Sequence, residues 1–274
     1  MTDHDNPDAH ATPEGATRPT PARMYNTYLN GKDNYGVDRK AAARLLEDIP
    51  DINDAAAENR EFVLRAVRHC AEAGIDQFLD LGAGIPLGHA VHDVARFVLP
   101  EARVVYVDND PLAVAHWRAR LADDRTTVIP GDVRRPKAIV ENPELLALID
   151  WERPVAVVLG AVLHFVGDDE RPYGIVAAFR DAMAPGSRLV FSHVTDDGPQ
   201  PEHVAILTNA YAHATAQVTV RSASGIRDFF DGFELDDPGL TRPGRWRPDT
   251  ADGPCTKWQL AGVGRVPATP EAAR

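Results

Sequence analysis

Short runs of consecutive apolar residues alternate along this chain with segments in which apolar residues recur at every third or fourth position. The first pattern is typical of buried β-strands and the second of amphipathic helices. Strands are predicted at residues 77–81, 103–108, 126–130, 155–160, 187–195, 233–235 and 257–265. Helices are predicted at residues 89–99, 111–121, 137–149, 172–183, 202–217 and 222–231, the third of them broken near Pro143. This alternation predicts an α/β fold in which a mostly parallel sheet has helices on both faces.

Two further helices are predicted ahead of the first strand, at residues 33–47 and 54–73. The second carries Phe62, Ala66 and Cys70 at helical spacing on one face. These helices indicate a cap over the sheet. The predicted division of the chain is a disordered tail at 1–21, a helical cap at 22–74, a ligand-binding domain at 75–266 and a frayed tail at 267–274.

Composition narrows the class of protein. The 274 residues carry a net charge of −12, and so acidic a chain is not expected to bind nucleic acid. The longest apolar stretch, residues 154–166, is too short to cross a bilayer, and the N-terminus lacks the features of a signal peptide. Cys70 and Cys255 form no Cys-x-x-Cys pair, so neither metal nor redox chemistry is expected. A soluble protein of the reducing cytoplasm is predicted.

The first predicted strand ends in a glycine-rich turn, FLDLGAGIPLG at residues 78–88. Glycine lets the backbone adopt positive φ and approach a ligand closely. In a dinucleotide-binding turn the third glycine comes three positions after the second, whereas Gly88 comes one position later than that. Asp80 would repel a pyrophosphate but suits the ammonium group of an amino acid. The turn therefore favours S-adenosylmethionine over NAD(P), with Gly82 and Gly84 as contacts, and an ordinary glycine turn is the alternative.

Acidic residues follow the second and third strands. Asp108 lies at the spacing from the glycine turn that is typical of the carboxylate binding the ribose hydroxyls. The alternative role, capping the next helix, suits Asp110 better. In the loop Gly131-Asp132-Val133, the Asp132 carboxylate is predicted to bind the adenine amino group and a backbone N–H a ring nitrogen. A plain turn is the alternative interpretation of that loop.

The fourth strand ends in LGAVLHF at residues 159–165, at the edge where the sulfonium and the methyl acceptor are expected to meet. Gly160 is a predicted cofactor contact. His164 is a candidate general base, because imidazole titrates near neutral pH. A buried histidine satisfied by backbone hydrogen bonds is the alternative. His193, at the end of the fifth strand, allows the same two interpretations.

Residues 23–35, RMYNTYLNGKDNY, are dense in aromatic and amide groups and show no apolar periodicity. Such a segment is a poor core element but suits a lid or a pocket wall, with Tyr25 as the candidate site residue. A surface arm is the alternative. On the helix that follows, Arg60 is predicted to bind the methionine carboxylate, and a solvated helix face is the alternative interpretation.

Together these motifs resemble an actinobacterial family of S-adenosylmethionine-dependent methyltransferases first catalogued as a domain of unknown function. The matching pieces are RMYNTYLNGKDNYGVDR, ENREFVLRAVR, FLDLGAGIP, VVYVDNDP, GDVRRP, VLGAVLHF, FSHVTDD, GIRDFFDGFEL and RWRPD. The resemblance extends from Pro21 to Val266. Many members of the family have two glycines where this chain has Asn30-Gly31.

The resemblance implies a Rossmann-like class I methyltransferase fold with a seven-stranded sheet whose last strand is antiparallel. It implies cofactor contacts at Asp80, Gly82, Gly84, Asp108, Asn109, Asp132 and Val133. It names no acceptor, and we expect a small molecule that the protein positions against the sulfonium methyl. The alternatives are a non-catalytic protein that binds S-adenosylmethionine and an NAD(P)-dependent oxidoreductase.

Overall fold

A seven-stranded sheet forms the centre of the computed structural model, which describes residues 17–121, 123–250, 253 and 255–268. The strands are β1 (Gln77–Leu81), β2 (Arg103–Asp108), β3 (Thr126–Pro130), β4 (Ala156–Gly160), β5 (Arg188–Val194), β6 (Glu234–Leu235) and β7 (Gln259–Arg265). They lie in the order β3-β2-β1-β4-β5-β7-β6. Only β7 pairs in the antiparallel sense, with β5 on one side and β6 on the other. The predicted sheet with its antiparallel last strand is confirmed.

The strand order reverses between β1 and β4. The chain runs outward from β1 through β2 to β3, then returns to pair β4 with the other side of β1. The connections on either side of such a point lead away from each other and leave a crevice beyond the carboxyl ends of the strands. The fold therefore predicts a ligand site above β1 and β4.

Both faces of the sheet are buried, which explains the continuous apolar runs in its strands. Successive residues of a strand point to opposite faces. Leu79 and Val157 belong to the core on one face, and Phe78 and Val158 to the core on the other. Only a strand covered on both sides needs apolar residues at every position.

Ten α-helices occur in the described part of the chain. They are α1 (Pro21–Tyr28), α2 (Gly36–Asp48), α3 (Ile52–Glu72), α4 (Val91–Val98), α5 (Pro111–Arg120), α6 (Pro136–Val140), α7 (Pro143–Leu146), α8 (Pro172–Ala182), α9 (Pro201–Ala210) and α10 (Ala223–Arg227). Proline at the first helical position costs no hydrogen bond, because that N–H has no partner inside the helix. Pro111 and Pro172 mark helix starts for this reason.

Three predicted helices differ most from those in the structure. The helix predicted to reach residue 217 ends at Ala210, because the backbone beyond it bonds to the N-terminal segment instead. Arg18 donates to the Ala214 carbonyl at 2.5 Å, and Thr215 donates to the Pro19 carbonyl at 3.0 Å. The helix predicted at 137–149 is split into α6 and α7, close to the predicted break. The helix predicted at 222–231 is α10 followed by a 3₁₀ turn.

Helices α1, α2 and α9 and the first turns of α3 form the cap. Its apolar core contains Met24, Tyr28, Leu45, Ile52 and Leu207. The expectation that residues 23–35 lack a buried face is wrong. Met24 and Tyr28 lie four residues apart on α1, so both point into the cap, although polar neighbours hide this spacing in the sequence.

The limits of the two predicted tails stay a prediction, since residues 1–16 and 269–274 lie outside the described residues. Ahead of α1, the Thr20 side chain caps the helix by accepting from the Arg23 N–H at 3.3 Å. In the described residues, every helix is too short or too polar to span a bilayer.

Candidate active site

A cavity of about 690 Å³ lies between the carboxyl ends of β1 to β4 and the cap. All but one of the residues that the sequence singled out for the site line it, the exception being His193. The residues that line it are Tyr25, Arg60, Asp80, Gly82, Gly84, Asp108, Asn109, Asp132, Val133, Gly160 and His164. They come from distant parts of the chain and meet because parallel strands bring their carboxyl ends to one edge of the sheet.

The glycine turn after β1 requires glycine at two positions for different reasons. Gly82 has φ of +69°, and a Cβ there would lie 2.5 Å from Cγ2 of Val162. Gly84 has φ of +63°, and a Cβ there would have no atom within 4 Å. The first position is closed by a neighbouring side chain, whereas the second faces open space that a ligand can occupy.

Asp108 holds this turn in place from the end of β2. Its Oδ2 accepts from the Gly84 N–H at 2.7 Å and its Oδ1 from the Asp110 N–H at 2.8 Å. Burial raises the pKa of this carboxyl above its usual range, and the backbone N–H groups oppose that rise. Each oxygen keeps further accepting capacity after one backbone bond. The predicted ribose ligand is therefore fixed in orientation and still able to accept hydrogen bonds.

Asp80 and Arg60 are oppositely charged residues that both line the cavity. Burial raises the pKa of Asp80 to about 7, and the charge of Arg60 only partly opposes that effect. The Arg60 guanidinium donates to the carbonyls of Leu87 and His89, which follow the glycine turn. A buried carboxyl with so high a pKa becomes a carboxylate readily when a cationic group binds beside it.

Two aromatic residues beside the glycine turn line the cavity and were not predicted. Tyr106 and Trp117 stack with ring centroids 3.9 Å apart, and Trp117 Nε1 donates to the Gly84 carbonyl at 2.8 Å. The tyrosine has a signal in the sequence, since it lies two positions before Asp108 on one strand and so shares its face. The tryptophan has none, because only the packing of α5 brings it to the turn.

The loop after β3 holds the two residues predicted to contact adenine. The Asp132 carboxylate accepts from the Arg134 N–H at 3.0 Å and from its guanidinium at 3.3 Å. Arg134 also pairs with Glu170 at 2.5 Å. Val133 is buried in the core beside the cavity. The loop is thus a rigid wall rather than a free turn.

The end of β4 is unusually crowded. A Cβ at Gly160 would lie 2.7 Å from Cγ2 of Val63, so α3 sits directly on the strand. Ala161 adopts φ of +58°, a left-handed conformation that costs a residue with a side chain energy. Its N–H donates to Ser192 Oγ at 2.9 Å, which helps to hold it there. Such strain is found mostly at functional sites.

A chain of hydrogen bonds ties Tyr25 of the cap to the sheet. The Tyr25 hydroxyl donates to the Ala56 carbonyl at 2.9 Å and accepts from Asn59 Nδ2 at 3.0 Å. Asn59 Oδ1 in turn accepts from Ser192 Oγ at 2.5 Å. Burial raises the pKa of Tyr25, so it remains a neutral phenol. Its hydroxyl is largely engaged, which favours a positioning role.

His164 and His193 lie close together but differ in their contacts. Burial lowers the pKa of His164 well below its usual range, as do His193 and Arg221, so its imidazole is neutral. Its Nδ1 has no hydrogen-bond partner among the described residues. His193 instead bonds to the Val194 carbonyl and to Arg221, each at 2.7 Å, and does not line the cavity. The geometry therefore favours His164 for chemistry and the structural interpretation for His193.

The comparison with known proteins identifies the family. Residues 8–268 match the model of a family described as S-adenosyl methyltransferase. The chain belongs to this family. The resemblance seen in the sequence is confirmed. The alternative interpretation, an NAD(P)-dependent oxidoreductase, is set aside.

Solved structures agree with this assignment. A candidate methyltransferase from Thermobifida fusca is 39% identical, with a TM-score of 0.88 over 94% of this chain and 99% of that one. A DUF574 family protein from Streptomyces avermitilis is 35% identical, with a TM-score of 0.87 over 92% of this chain and 99% of that one. An O-methyltransferase family protein from Burkholderia thailandensis, 15% identical with a TM-score of 0.52, shares the fold alone. No curated protein matches the chain.

The family's cofactor is S-adenosylmethionine, and the cavity of this methyltransferase has the groups to hold it. Gly84 leaves open space at the turn. Asp108 has accepting capacity for ribose hydroxyls, and Asp80 can balance an ammonium group. A carboxylate at this turn would repel a pyrophosphate, so the same residues fit a dinucleotide poorly.

Proposed function

We propose that the protein transfers the methyl group of S-adenosylmethionine to a small-molecule acceptor bound under the cap. The observation that supports this most is the continuity of one cavity. It joins the glycine turn and the strand-end carboxylates to an apolar chamber formed by α1, α3 and α9. Small-molecule sites are typically concave and largely apolar, with a few convergent polar groups.

In this proposal the strand ends hold the cofactor. Asp80 takes the ammonium and Asp108 the ribose hydroxyls, while Asp132 and Val133 contact the adenine. Arg60 lies on the same side and would contact the methionine carboxylate. The glycine turn, Asn109 and Gly160 complete the wall. The roles follow from charge and from the place of each residue along the strand ends.

The chemistry asks little of the protein beyond positioning. The bound cofactor supplies a methyl group already activated by its sulfonium. Tyr25 and Asn59 tie α1 and α3 together over the site, which fixes the chamber in which the acceptor lies. Neutral His164 can accept a proton from the acceptor, if that acceptor is a hydroxyl. The cap covers His164 and the acceptor and excludes water from them.

A thermal-shift comparison tests the proposed cofactor. S-Adenosylhomocysteine should raise the melting temperature, and the rise should continue with the logarithm of ligand concentration above Kd, because the ligand binds only the folded state. NADH, which also carries an adenosine, is the matched control and should leave the melting temperature unchanged. Stabilisation by NADH alone would contradict the proposal.

The pKa of Asp80 leads to a prediction on pH. Below pH 7 its carboxyl is protonated in the free protein and must lose that proton to bind an ammonium group. The affinity for S-adenosylhomocysteine should therefore fall, by up to about tenfold per pH unit, as the pH drops from 7 to 5. The ligand's own amino group stays charged over this range. Calorimetry at several pH values measures the slope.

The variant Asp80→Asn should bind more weakly at pH 7 and lose this pH dependence. Asp132→Asn is the matched control, because Asp132 lines the same cavity but belongs to the loop after β3. It should keep the slope. A slope that persists in Asp80→Asn would assign the titration to another group.

The segment 18–35 is proposed to be a lid. Thr20 Oγ1 donates to Asp110 Oδ2 at 3.2 Å, which joins this segment to the end of β2 beside the cofactor residues. Bound S-adenosylhomocysteine should slow tryptic cleavage after the exposed Lys32 several-fold. Cleavage after Lys137, exposed on α6, should keep its rate. Equal rates at Lys32 with and without ligand would make the segment a surface arm.

A further inference from the structure

We infer that the methyl acceptor is an uncharged aromatic molecule, which lies in the cap chamber with its ring against tyrosine and tryptophan side chains. The inference rests on the proposed function, since it names the substrate class of the same cavity. It comes from the distribution of charge, aromatic surface and unpaired polar atoms along the cavity wall.

Charge is confined to one end of the cavity. Five charged residues belong to the strand ends and the loops after them, and Arg60 on α3 reaches the loop after the glycine turn; the five are Asp80, Asp108, Asp110, Asp132 and Arg134. Among the described residues, Arg23 is the one charged residue that lines the cap end. It already pairs with the buried Asp38 at 3.0 Å. An anionic or cationic acceptor would meet no unpaired opposite charge there. Burying an unpaired charge is strongly unfavourable.

The wall of the chamber is largely apolar and rich in aromatic side chains. It consists of Tyr28, Ile52, Leu207, Tyr211, Val218 and Trp258, all of them buried in the protein. Tyr28, Tyr211 and Trp258 come from α1, from the turn after α9 and from the segment before β7. Aromatic side chains placed on several sides of a chamber favour a planar ligand, which can stack against them or meet their edges.

The polar atoms of the wall do not offer a charged partner. Trp258 Nε1 donates to Asp51 Oδ1 at 3.0 Å. The hydroxyls of Tyr28 and Tyr211 lie 3.2 Å apart, and burial raises the pKa of both, so both are neutral. One hydroxyl donates to the other, and the proton of the second has no acceptor among the described residues. A hydroxyl or carbonyl oxygen of the ligand can take it.

Two polar side-chain atoms in the wall also lack partners among the residues described. They are Nδ1 of His164 and Oε1 of Gln259, on side chains that are 4% and 6% exposed. A buried polar atom without a partner is costly unless a ligand or water satisfies it. The chamber thus combines a free tyrosine donor, a free amide acceptor and an imidazole nitrogen that donates or accepts according to its tautomer. This set matches a neutral ring that carries a hydroxyl group.

A series of probes with one ring and three charges tests the inference. 1-Naphthol is neutral, 1-naphthoate is an anion and 1-naphthylmethylamine is a cation at pH 7. Calorimetry with the full-length protein, with and without S-adenosylhomocysteine, measures their affinities. 1-Naphthol should bind at least about tenfold more tightly than either charged probe. The cationic probe matters because aromatic faces also attract cations.

Leu207→Glu places a carboxylate in the chamber and should weaken 1-naphthol binding tenfold or more, while the affinity for S-adenosylhomocysteine is kept. Leu146→Glu is the matched control, since Leu146 is half exposed on α7 and does not line the cavity. Tyr211→Phe, a milder change, should reduce the preference for 1-naphthol over naphthalene. Tyr211→Phe provides the test if the glutamate variant does not fold.

Equal or tighter binding of the anionic or cationic probe overturns the inference, as does unchanged 1-naphthol affinity in folded Leu207→Glu. Binding of S-adenosylhomocysteine without any binding of 1-naphthol also overturns it and leaves the proposed function standing. If the wild type instead binds 1-naphthol but not S-adenosylhomocysteine, the proposed function fails and the inference of a neutral chamber remains.

Discussion

Replacing Asp108 by alanine should weaken the binding of S-adenosylhomocysteine by about 1–3 kcal/mol, roughly 5- to 150-fold in Kd. The carboxylate is proposed to bind the ribose hydroxyls, and it also accepts from the N–H of Gly84 at 2.7 Å. The alanine variant loses both the ligand contact and the bond that holds the glycine turn. Calorimetric titration of the purified variant measures the loss.

Two further variants separate these causes. Asp108→Asn keeps the shape and one accepting oxygen, so its loss should be smaller. Asp181→Ala removes a carboxylate whose side chain is 67% exposed beside Arg180, and should bind as the wild type does. Wild-type affinity in a folded Asp108→Ala protein would reject the ribose role and leave Asp108 as a support of the turn.

His164→Ala should lower turnover by roughly 100- to 10 000-fold and spare the affinity for S-adenosylhomocysteine, if His164 is the proton acceptor. Because burial lowers the pKa of His164 well below its usual range, it stays unprotonated at neutral pH. With saturating S-adenosylmethionine, the wild-type rate should therefore be independent of His164 ionisation near pH 7 and fall only well below pH 6.5. Turnover is measured as the release of S-adenosylhomocysteine in the presence of a substrate that the protein methylates.

His193→Gln is the matched control for His164. The two rings lie 5.5 Å apart and both are buried, but His193 is bonded to Arg221 and to the Val194 carbonyl. The control should lower the melting temperature and keep the acid limb of the pH profile. His164→Asn, gentler than alanine, should lose that limb. Full turnover in a stable His164→Asn protein would remove His164 from the mechanism.

The sheet and the cofactor end of the cavity were predictable because their signals are local. Strands buried on both faces appear as continuous apolar runs, and a polar residue near the end of such a run or just after it falls at the carboxyl edge. Asp80, Asp108 and Asp132 were found in this way, and the structure brings them to one cavity. Their roles in binding stay predictions until ligand affinities are measured.

The parts that were missed depend on contacts between distant segments. The end of α9 is set by bonds to residues 18–19, which no local pattern reveals. Trp117 reaches the glycine turn only through the packing of α5. The left-handed Ala161 and the bond between Asn59 and Ser192 likewise require the folded sheet. Polar networks and strained turns have no periodicity in sequence, so they become visible only in three dimensions.

The contact between Gly160 and Val63 has a consequence for the route by which ligands exchange. Helix α3 has 21 residues and extends for about 30 Å, at about 1.5 Å per residue. It rests without a gap on the end of β4, and further along Arg65 donates to the Pro243 carbonyl at 2.8 Å. A helix held at both places cannot swing away as the arm of an opening domain. We therefore expect ligand entry and product release to depend on residues 18–35 rather than on α3, and the opening rate of that segment would then limit turnover.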